Sequence, residues 1–269
     1  MNIHDAGTGP PLVVIPGVQG RWEWMRPGID RLARHYRVIT FSLCDEPTSG
    51  DSFDEAGGFA CYVDQITRAM DARSIARATI CGVSYGGLIA AAFAARHRER
   101  TAALVLVSAL SPRWRLNERA RFYLRAPRLL FPLFALSSLR LSREMIRAQG
   151  AVAAGLAAAA RHGWNVVTHP TSPERMAARV RLLEGLDLSG ELERLNVPTL
   201  ICTGEDDLDY VVPPAVTREY AALWPHARVE VLRRTGHLGI ITRPEELARL
   251  LDAFMASHDA GDERRRSSG

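Results

Sequence analysis

One serine in this sequence has the setting that nucleophilic catalysis requires. Ser84 is the central residue of the Gly-x-Ser-x-Gly stretch 82–86, which follows the apolar run 75–81 and leads into the alanine-rich, helix-like run 88–95. A serine at such a strand-to-helix corner is typical of a nucleophile elbow, where the hydroxyl stands free at the sheet edge. Because a serine hydroxyl is a poor nucleophile at neutral pH, it needs a base that is itself oriented by a carboxylate.

His237 is the histidine that we expect to act as this base. It lies in the loop after the last predicted strand, and Gly236 before it allows the backbone to come close to its neighbours. On a sheet with an elbow serine, the acid and the base come later in the chain, in the order serine, carboxylate, histidine. The other seven histidines fall at helix ends, in the middle segment of the chain, or near edges and termini.

The carboxylate is predicted to be Asp207. Asp206 and Asp207 directly follow a strand that ends at Gly204, and the third residue beyond this glycine can fold back over the sheet edge. Asp206 is the weaker candidate, because it is more easily left in solvent or used to cap the loop. A third reading, in which both carboxylates only solvate the loop, stays open. Asp209 is expected to lie too far along the chain.

Backbone amides are the expected donors to a developing oxyanion. The amide of Tyr85 follows the nucleophile, and that of Val18 lies in the loop after the first strand; such donors can supply about 3–4 kcal/mol each in the transition state. The side-chain amide of Gln19 could add a third contact to substrate, or form only a hydrogen bond within its loop.

The elements that must position these residues form an alternating pattern. Short apolar runs at 12–15, 37–43, 75–81, 102–108, 197–204 and 228–232 are separated by helix-like segments, which predicts an α/β fold with a parallel sheet covered on both faces. Between 110 and 190 the alternation stops, and four helices are predicted, at 116–124, 128–137, 142–161 and 173–183. We therefore expect a core domain of residues 1–110 and 191–258, a helical cap of residues 111–190 and a disordered tail of residues 259–269.

Composition limits the classes of protein further. No apolar run of the 269-residue chain approaches the ~20 residues of a membrane span and the N-terminus lacks a signal-like segment, so we expect a cytoplasmic protein without an integral membrane segment. The four cysteines lack metal-ligand spacing, and no metal or cofactor is predicted. All 34 basic residues are arginine, and 110–190 carries thirteen of them against five acids. These arginines either form a solvated helix face or attract an anionic substrate or lipid surface; no nucleic-acid partner is expected, because no recognition motif accompanies them.

Together these motifs resemble the α/β-hydrolase superfamily, in its Ser-nucleophile, esterase/lipase-like branch with a helical cap. The resemblance covers about residues 10 to 257 and depends on the stretches 16–18, 82–87, 204–207 and 236–237. It implies a mostly parallel α/β-hydrolase sheet of eight strands with an inserted α-helical cap. The sequence departs from the pattern at Pro16, where many members have histidine, and at residues 2–4, where the antiparallel first strand is reduced or missing. The serine argues against the branches that attack through a carboxylate.

The expected activity is hydrolysis of a carboxylic ester of a small or medium apolar substrate through an acyl-enzyme. Carbon–carbon bond, thioester and lactone hydrolysis and acyl transfer remain alternatives on the same residues, because the pocket sets the chemistry on such a fold. A ligand-binding receptor with a dormant triad is a further alternative. In the cap, Phe122, Phe131 and Phe134 could line an acyl pocket together with Leu238 of the histidine loop, or could simply dock the cap helices. Monomer and homodimer are both left open.

Overall fold

The fold is built on one mostly parallel β-sheet. In the computed structural model, which describes residues 1–137 and 140–267, seven strands lie in the order β1-β3-β2-β4-β5-β6-β7. All neighbouring strands are parallel except β1, which pairs antiparallel with β3. The predicted α/β class and the mostly parallel sheet are therefore confirmed. The described residues form seven strands where the resemblance implies eight, and the antiparallel first strand is present as a short strand at 4–6. The strands are β1 (His4–Ala6), β2 (Pro11–Ile15), β3 (Arg37–Thr40), β4 (Ala78–Val83), β5 (Thr101–Val107), β6 (Thr199–Thr203) and β7 (Arg228–Val231).

Helices cover the sheet and form the cap. Those that alternate with the strands are α1 (Arg26–Leu32), α2 (Ala60–Ala72), α3 (Tyr85–Arg96), α9 (Ser189–Glu193), α10 (Pro214–Leu223), α11 (Gly239–Thr242) and α12 (Pro244–Ser267). Those between β5 and β6 that belong to the cap are α4 (Glu118–Arg125), α5 (Pro127–Ser137), α6 (Leu141–Gln149), α7 (Val152–Thr168) and α8 (Pro173–Arg181).

The two faces of the sheet bury separate hydrophobic clusters. In β2, Val13 and Ile15 point into the cluster that packs against α2 and α3, whereas Leu12 and Val14 point into the cluster that packs against α1 and α12. Alternation within a strand that is buried on both sides produces the continuous apolar runs seen in the sequence. Strand β4 is buried at every position and lies between β2 and β5, so Ser84 at its end is held by the most enclosed part of the fold.

The cap is divided differently from the sequence expectation. A single helix was expected over 142–161, but α6 ends at Gln149 and α7 begins at Val152. Gly150 takes the left-handed conformation, with φ 71°, and its amide hydrogen-bonds the Ile146 carbonyl, which closes the helix. A glycine at this position is a common helix terminator because it has no Cβ to clash.

The last helix runs further than expected. Helix α12 extends to Ser267, although a disordered tail was predicted from Asp259; the final two residues of that tail lie outside the described residues. Within the described part of the chain, none of the helices combines the length and the apolar character needed to cross a bilayer.

Candidate active site

Ser84 occupies a strained corner between β4 and α3. Its backbone has φ 55° and ψ −119°, a conformation that costs a non-glycine residue about 1–3 kcal/mol. Three hydrogen bonds hold this conformation. The Ser84 amide donates to the Val107 carbonyl at 2.9 Å, and the Ser84 carbonyl accepts from the amides of Gly87 and Leu110. Strain that is held in this way on a serine is the geometry of a nucleophile elbow.

The two glycines of the motif are required by close backbone contacts. A Cβ added at Gly82 would lie 2.2 Å from the Gly86 carbonyl oxygen, and one added at Gly86 would lie 2.4 Å from that of Pro16. Both distances are far below van der Waals contact, and the atoms they meet are backbone. The sequence Gly-x-Ser-x-Gly is therefore dictated by the approach of α3 to β4 and to the loop after β2.

His237 forms an ion-pair contact with Asp209. Its Nδ1 lies 3.3 Å from Asp209 Oδ2, and the two side chains are 12% and 1% exposed. The other carboxylate oxygen of Asp209 accepts from the amides of Val211 at 3.0 Å and Val212 at 2.8 Å. Burial lowers the pKa of His237, but the charge and hydrogen bond of Asp209 outweigh this effect, and the pKa lies above its ordinary value. This is the relation of a base to its orienting acid.

The prediction that Asp207 is the partner of His237 is wrong. The Asp207 side chain is 65% exposed, and the ion pair it forms is with Arg147 of the cap, at 3.9 Å. Asp206, the weaker candidate, is also exposed and pairs with Arg218 at 3.2 Å.

The path of the chain after β6 explains this outcome. The amide of Glu205 donates to the Thr235 carbonyl, and the Glu205 carbonyl accepts from the amides of Leu208 and Asp209. This turn carries residues 206 and 207 outward and returns the chain to the sheet edge at Asp209. A signal for Asp209 exists in the sequence, because an aspartate can accept hydrogen bonds from the amides two and three residues further on and so fix a turn, here at Val211 and Val212.

The loop after β2 lies beside the serine. A Cβ added at Gly17 would lie 3.4 Å from Ser84 Cβ and 2.7 Å from Gln19 Oε1, so the Gln19 side chain is folded against the same glycine. The Gly17 carbonyl accepts from the Gly20 amide at 2.9 Å, which turns the Val18 N–H away from that bond, since C=O and N–H of a trans peptide point in opposite directions. The Val18 amide makes no hydrogen bond to another described residue. Tyr85 is the first residue of α3, where amides lack an intrahelical acceptor.

The structure places these groups at one end of the sheet. Ser84 follows β4, Asp209 follows β6, and His237 follows β7; the loops of the last two touch, because a Cβ on Gly204 would lie 2.5 Å from Gly236 Cα. Ser84 and His237 are not hydrogen-bonded to each other in the described part of the chain.

Cap residues hold both loops of the site, which sequence reasoning missed. Arg179 of α8 is fully buried and donates to the Val18 carbonyl at 2.7 Å while pairing with Asp45 and Glu46. Glu144 of α6 accepts hydrogen bonds from the loop that carries His237. The sequence signal for Arg179 and Glu144 is weak, because each is one of many charged residues in the cap.

The residues predicted to contact substrate lie in different parts of the structure. Phe122, Phe131 and Phe134 join Tyr123 in an aromatic cluster between α4 and α5, with ring centroids of Tyr123 and Phe134 5.4 Å apart. Leu238 follows the histidine and is half-buried. A role in binding substrate stays a prediction for all four and for Gln19.

Three of the four cysteines are buried in surroundings that keep their thiols protonated. Burial raises the pKa of the Cys44 and Cys81 thiols to about 12 and that of Cys202 still further, so these cysteines are not thiolates at neutral pH. Among the residues that the structure describes, no three histidine, cysteine or acidic side chains are grouped so as to hold a metal ion.

Comparison with known proteins finds similarity over nearly the whole chain. The chain is 28% identical to a 2-hydroxymuconate semialdehyde hydrolase of Pseudomonas sp. (strain CF600), covering 96% of this chain and 91% of that protein. It is 25% identical to a pimeloyl-[acyl-carrier protein] methyl ester esterase of Nitrosomonas europaea, covering 94% and 99%. The enol-lactonase from Burkholderia xenovorans LB400 superimposes with a TM-score of 0.76 over 95% and 96% of the two chains, at 21% identity. The model of the alpha/beta hydrolase family matches residues 12–250, and the chain belongs to this family.

Proposed function

We propose that the protein is a serine hydrolase in which Ser84 attacks a carbonyl carbon, His237 is the base and Asp209 orients it. The observation that carries the proposal is the strained Ser84 backbone at the same sheet edge as the His237–Asp209 pair. Strain of this kind is concentrated at functional sites, and the buried Asp209 carboxylate in contact with His237 supplies a base together with the acid that orients it.

The reaction follows from the protonation states that this geometry favours. Asp209 accepts the Nδ1 proton of His237, which leaves Nε2 free to take the proton of Ser84 as its oxygen attacks. The amides of Val18 and Tyr85 stabilise the oxyanion, and His237 then protonates the leaving group as the tetrahedral intermediate collapses to an acyl-enzyme. Water, activated by His237, adds to the acyl carbon; the acid is released, and Ser84 recovers its proton.

A carboxylic ester is the bond that we favour, with a small or medium acyl group. The same steps would serve a carbon–carbon bond next to a ketone, with a carbanion as the leaving group instead of an alkoxide. The similarity to the methyl ester esterase supports the ester bond. The similarity to the semialdehyde hydrolase supports the carbon–carbon bond, since 2-hydroxymuconate semialdehyde contains no ester. Thioesterase, lactonase and acyltransferase activities remain alternatives on the same residues.

Turnover of two substrate series separates these possibilities. We expect hydrolysis of p-nitrophenyl esters with a sharp preference for one chain length, because a pocket under a cap limits the acyl group. Ser84→Ala should lose this activity, and Asp207→Asn, which alters an exposed loop carboxylate, is the matched control. Faster Ser84-dependent turnover of 2-hydroxy-6-oxo-2,4-heptadienoate, after which a 26% identical hydrolase of Pseudomonas putida is named, would favour the carbon–carbon reaction. No Ser84-dependent turnover of either series would favour the receptor reading.

A further inference from the structure

A buried carboxylate of the cap contacts residues on both sides of His237. Glu144, on α6, is 1% exposed. Its Oε1 accepts from the Thr235 hydroxyl and from the Leu238 amide, each at 2.7 Å. Thr235 lies two residues before the histidine and Leu238 one residue after it, so a single oxygen joins the two arms of the histidine loop.

The rest of α6 is fastened to the same region. The Arg234 guanidinium donates to the Arg147 carbonyl at 3.1 and 3.2 Å, and Arg243 donates to the Ala148 carbonyl at 3.5 Å. These contacts occupy carbonyls at the end of α6, which have no partners within the helix. Glu144 is therefore part of the contact surface between the cap and the histidine loop. Its own hydrogen bonds go to Thr235, two residues before His237, and to Leu238, one residue after it.

Burial of the Glu144 carboxylate costs free energy, because it removes this group from water. The second oxygen of Glu144 is buried and has no hydrogen-bond partner among the described residues. Burial raises the pKa of Glu144, more than the Thr235 hydrogen bond and the neighbouring His237 lower it. A buried polar atom without a hydrogen-bond partner calls for an explanation. Here the explanation is that the other oxygen of the same carboxylate, Oε1, holds the histidine loop.

We propose that Glu144 is a positioning residue for His237. By fixing Thr235 and Leu238, it keeps the imidazole in contact with Asp209, and it makes the placement of the base depend on the docked cap. The charged groups around this contact are His237 and Asp209 on the core side, Arg234 and Arg243 beside α6, and Arg147 on α6 itself. This inference rests on the proposed function, because it concerns the base of that reaction.

Two substitutions separate positioning from mere structural support. Glu144→Ala removes the acceptor of the Leu238 amide and leaves the Thr235 hydroxyl with only the Thr242 hydroxyl as a partner among the described residues. The histidine loop then loses its link to α6, so we expect kcat for a p-nitrophenyl ester to fall by about 10–100-fold, with KM within about threefold of wild type. Glu144→Gln keeps an oxygen in the place of Oε1 and should restore kcat to within about threefold of wild type. Glu174→Ala, which removes an exposed cap carboxylate paired with Arg128, is the matched control.

A second readout does not depend on turnover. In the wild-type protein the Nδ1 proton of His237, shared with Asp209, should give a downfield proton NMR resonance. We expect this resonance to broaden or vanish in Glu144→Ala and to persist in Glu144→Gln and Glu174→Ala. A residue that only stabilised the fold would lower the melting temperature without moving this signal in the folded protein.

The outcomes are distinguishable. Wild-type protein whose Ser84 is not labelled by a fluorophosphonate would defeat the proposed function, while the NMR comparison would still decide the role of Glu144. Labelled wild type together with Glu144→Ala that matches Glu174→Ala in kcat and in the His237 signal would overturn the inference. If Glu144→Ala does not fold, Thr235→Val removes one donor and should lower kcat by about 3–10-fold; an unchanged kcat would overturn the inference equally.

Discussion

The Nδ1 atom of His237 lies 3.3 Å from Oδ2 of Asp209, and two backbone amides hold the other carboxylate oxygen in place. Asp209 therefore cannot rotate away from the imidazole without breaking its own loop. Asp207, two residues earlier, accepts no such bonds from the residues that the structure describes, and its side chain faces solvent. The pair of aspartates provides a matched comparison of a carboxylate that orients a base with one that does not.

Substitution of these aspartates should have very unequal effects. Asp209→Asn leaves the shape of the loop but favours the wrong imidazole tautomer, so we expect kcat to fall by about 10⁴-fold, as in serine proteases altered in the same way. Asp207→Asn should leave kcat within about twofold of wild type. The measurement is steady-state hydrolysis of a p-nitrophenyl ester. Equal losses in both variants would contradict the assignment of Asp209.

The pH dependence of activity should reflect the raised pKa of His237. The base works only when its imidazole is neutral, so the acid limb of the kcat/KM profile should lie above the ordinary histidine value of about 6.5. In Asp209→Asn the carboxylate that raises this pKa is gone, and the limb should move to lower pH. An acid limb that does not respond to this substitution would assign the titration to another group.

Stability should depend on pH through the same residue. Because the folded pKa of His237 is raised, its contribution to stability is fully present below the unfolded value of about 6.5 and is lost as pH rises through the folded value. The melting temperature of Asp209→Asn should therefore fall furthest below wild type under mildly acidic conditions. A difference that grows toward high pH would have the wrong sign for this ion pair.

Removal of Arg179 should destabilise the fold strongly. Arg179→Met leaves the carboxylates of Asp45 and Glu46 buried without their cation and the Val18 carbonyl without its donor; breaking a buried pair in this way costs about 3–5 kcal/mol. Arg128→Met removes a solvent-exposed cap arginine and should leave the urea midpoint almost unchanged. Similar midpoints for the two variants would show that the Arg179 cluster does not tie the cap to the core.

The elbow glycines should tolerate no side chain. Gly82→Ala places a Cβ 2.2 Å from the Gly86 carbonyl oxygen and should lower the free energy of unfolding by about 1–3 kcal/mol or more, since only backbone could move aside. Gly190→Ala meets no atom within 4 Å and lies in α9, so it should be neutral or slightly stabilising. Urea unfolding compares the two, and a harmless Gly82→Ala would contradict the packing described for the elbow.

The sequence predicts best what local pattern controls. Ser84 and its glycines were found because a strand, a sharp turn and a helix are adjacent in the chain, and His237 because a glycine and a post-strand loop surround it. The alternation of strands and helices likewise predicted the sheet, because periodicity is a local property.

Non-local contacts set the features that the sequence did not predict. Asp207 and Asp209 differ in burial because the Glu205 amide bonds to Thr235, a residue thirty positions away, and this fixes the turn. Glu144 and Arg179 gain their roles only when the cap is docked, which no pattern within the cap reveals. The break between α6 and α7 did have a local signal, Gly150, which the helix-favouring residues on either side concealed.

Mapping of a covalent adduct tests the central claim most directly. The purified protein is treated with a fluorophosphonate, digested and sequenced by mass spectrometry, with His237→Ala and Asp209→Asn treated in parallel. If Ser84 is the activated nucleophile, the adduct lies on Ser84 in wild type and forms far more slowly in both variants. An adduct on another residue, or none, or labelling of Ser84 at the same rate in all three proteins would contradict the account.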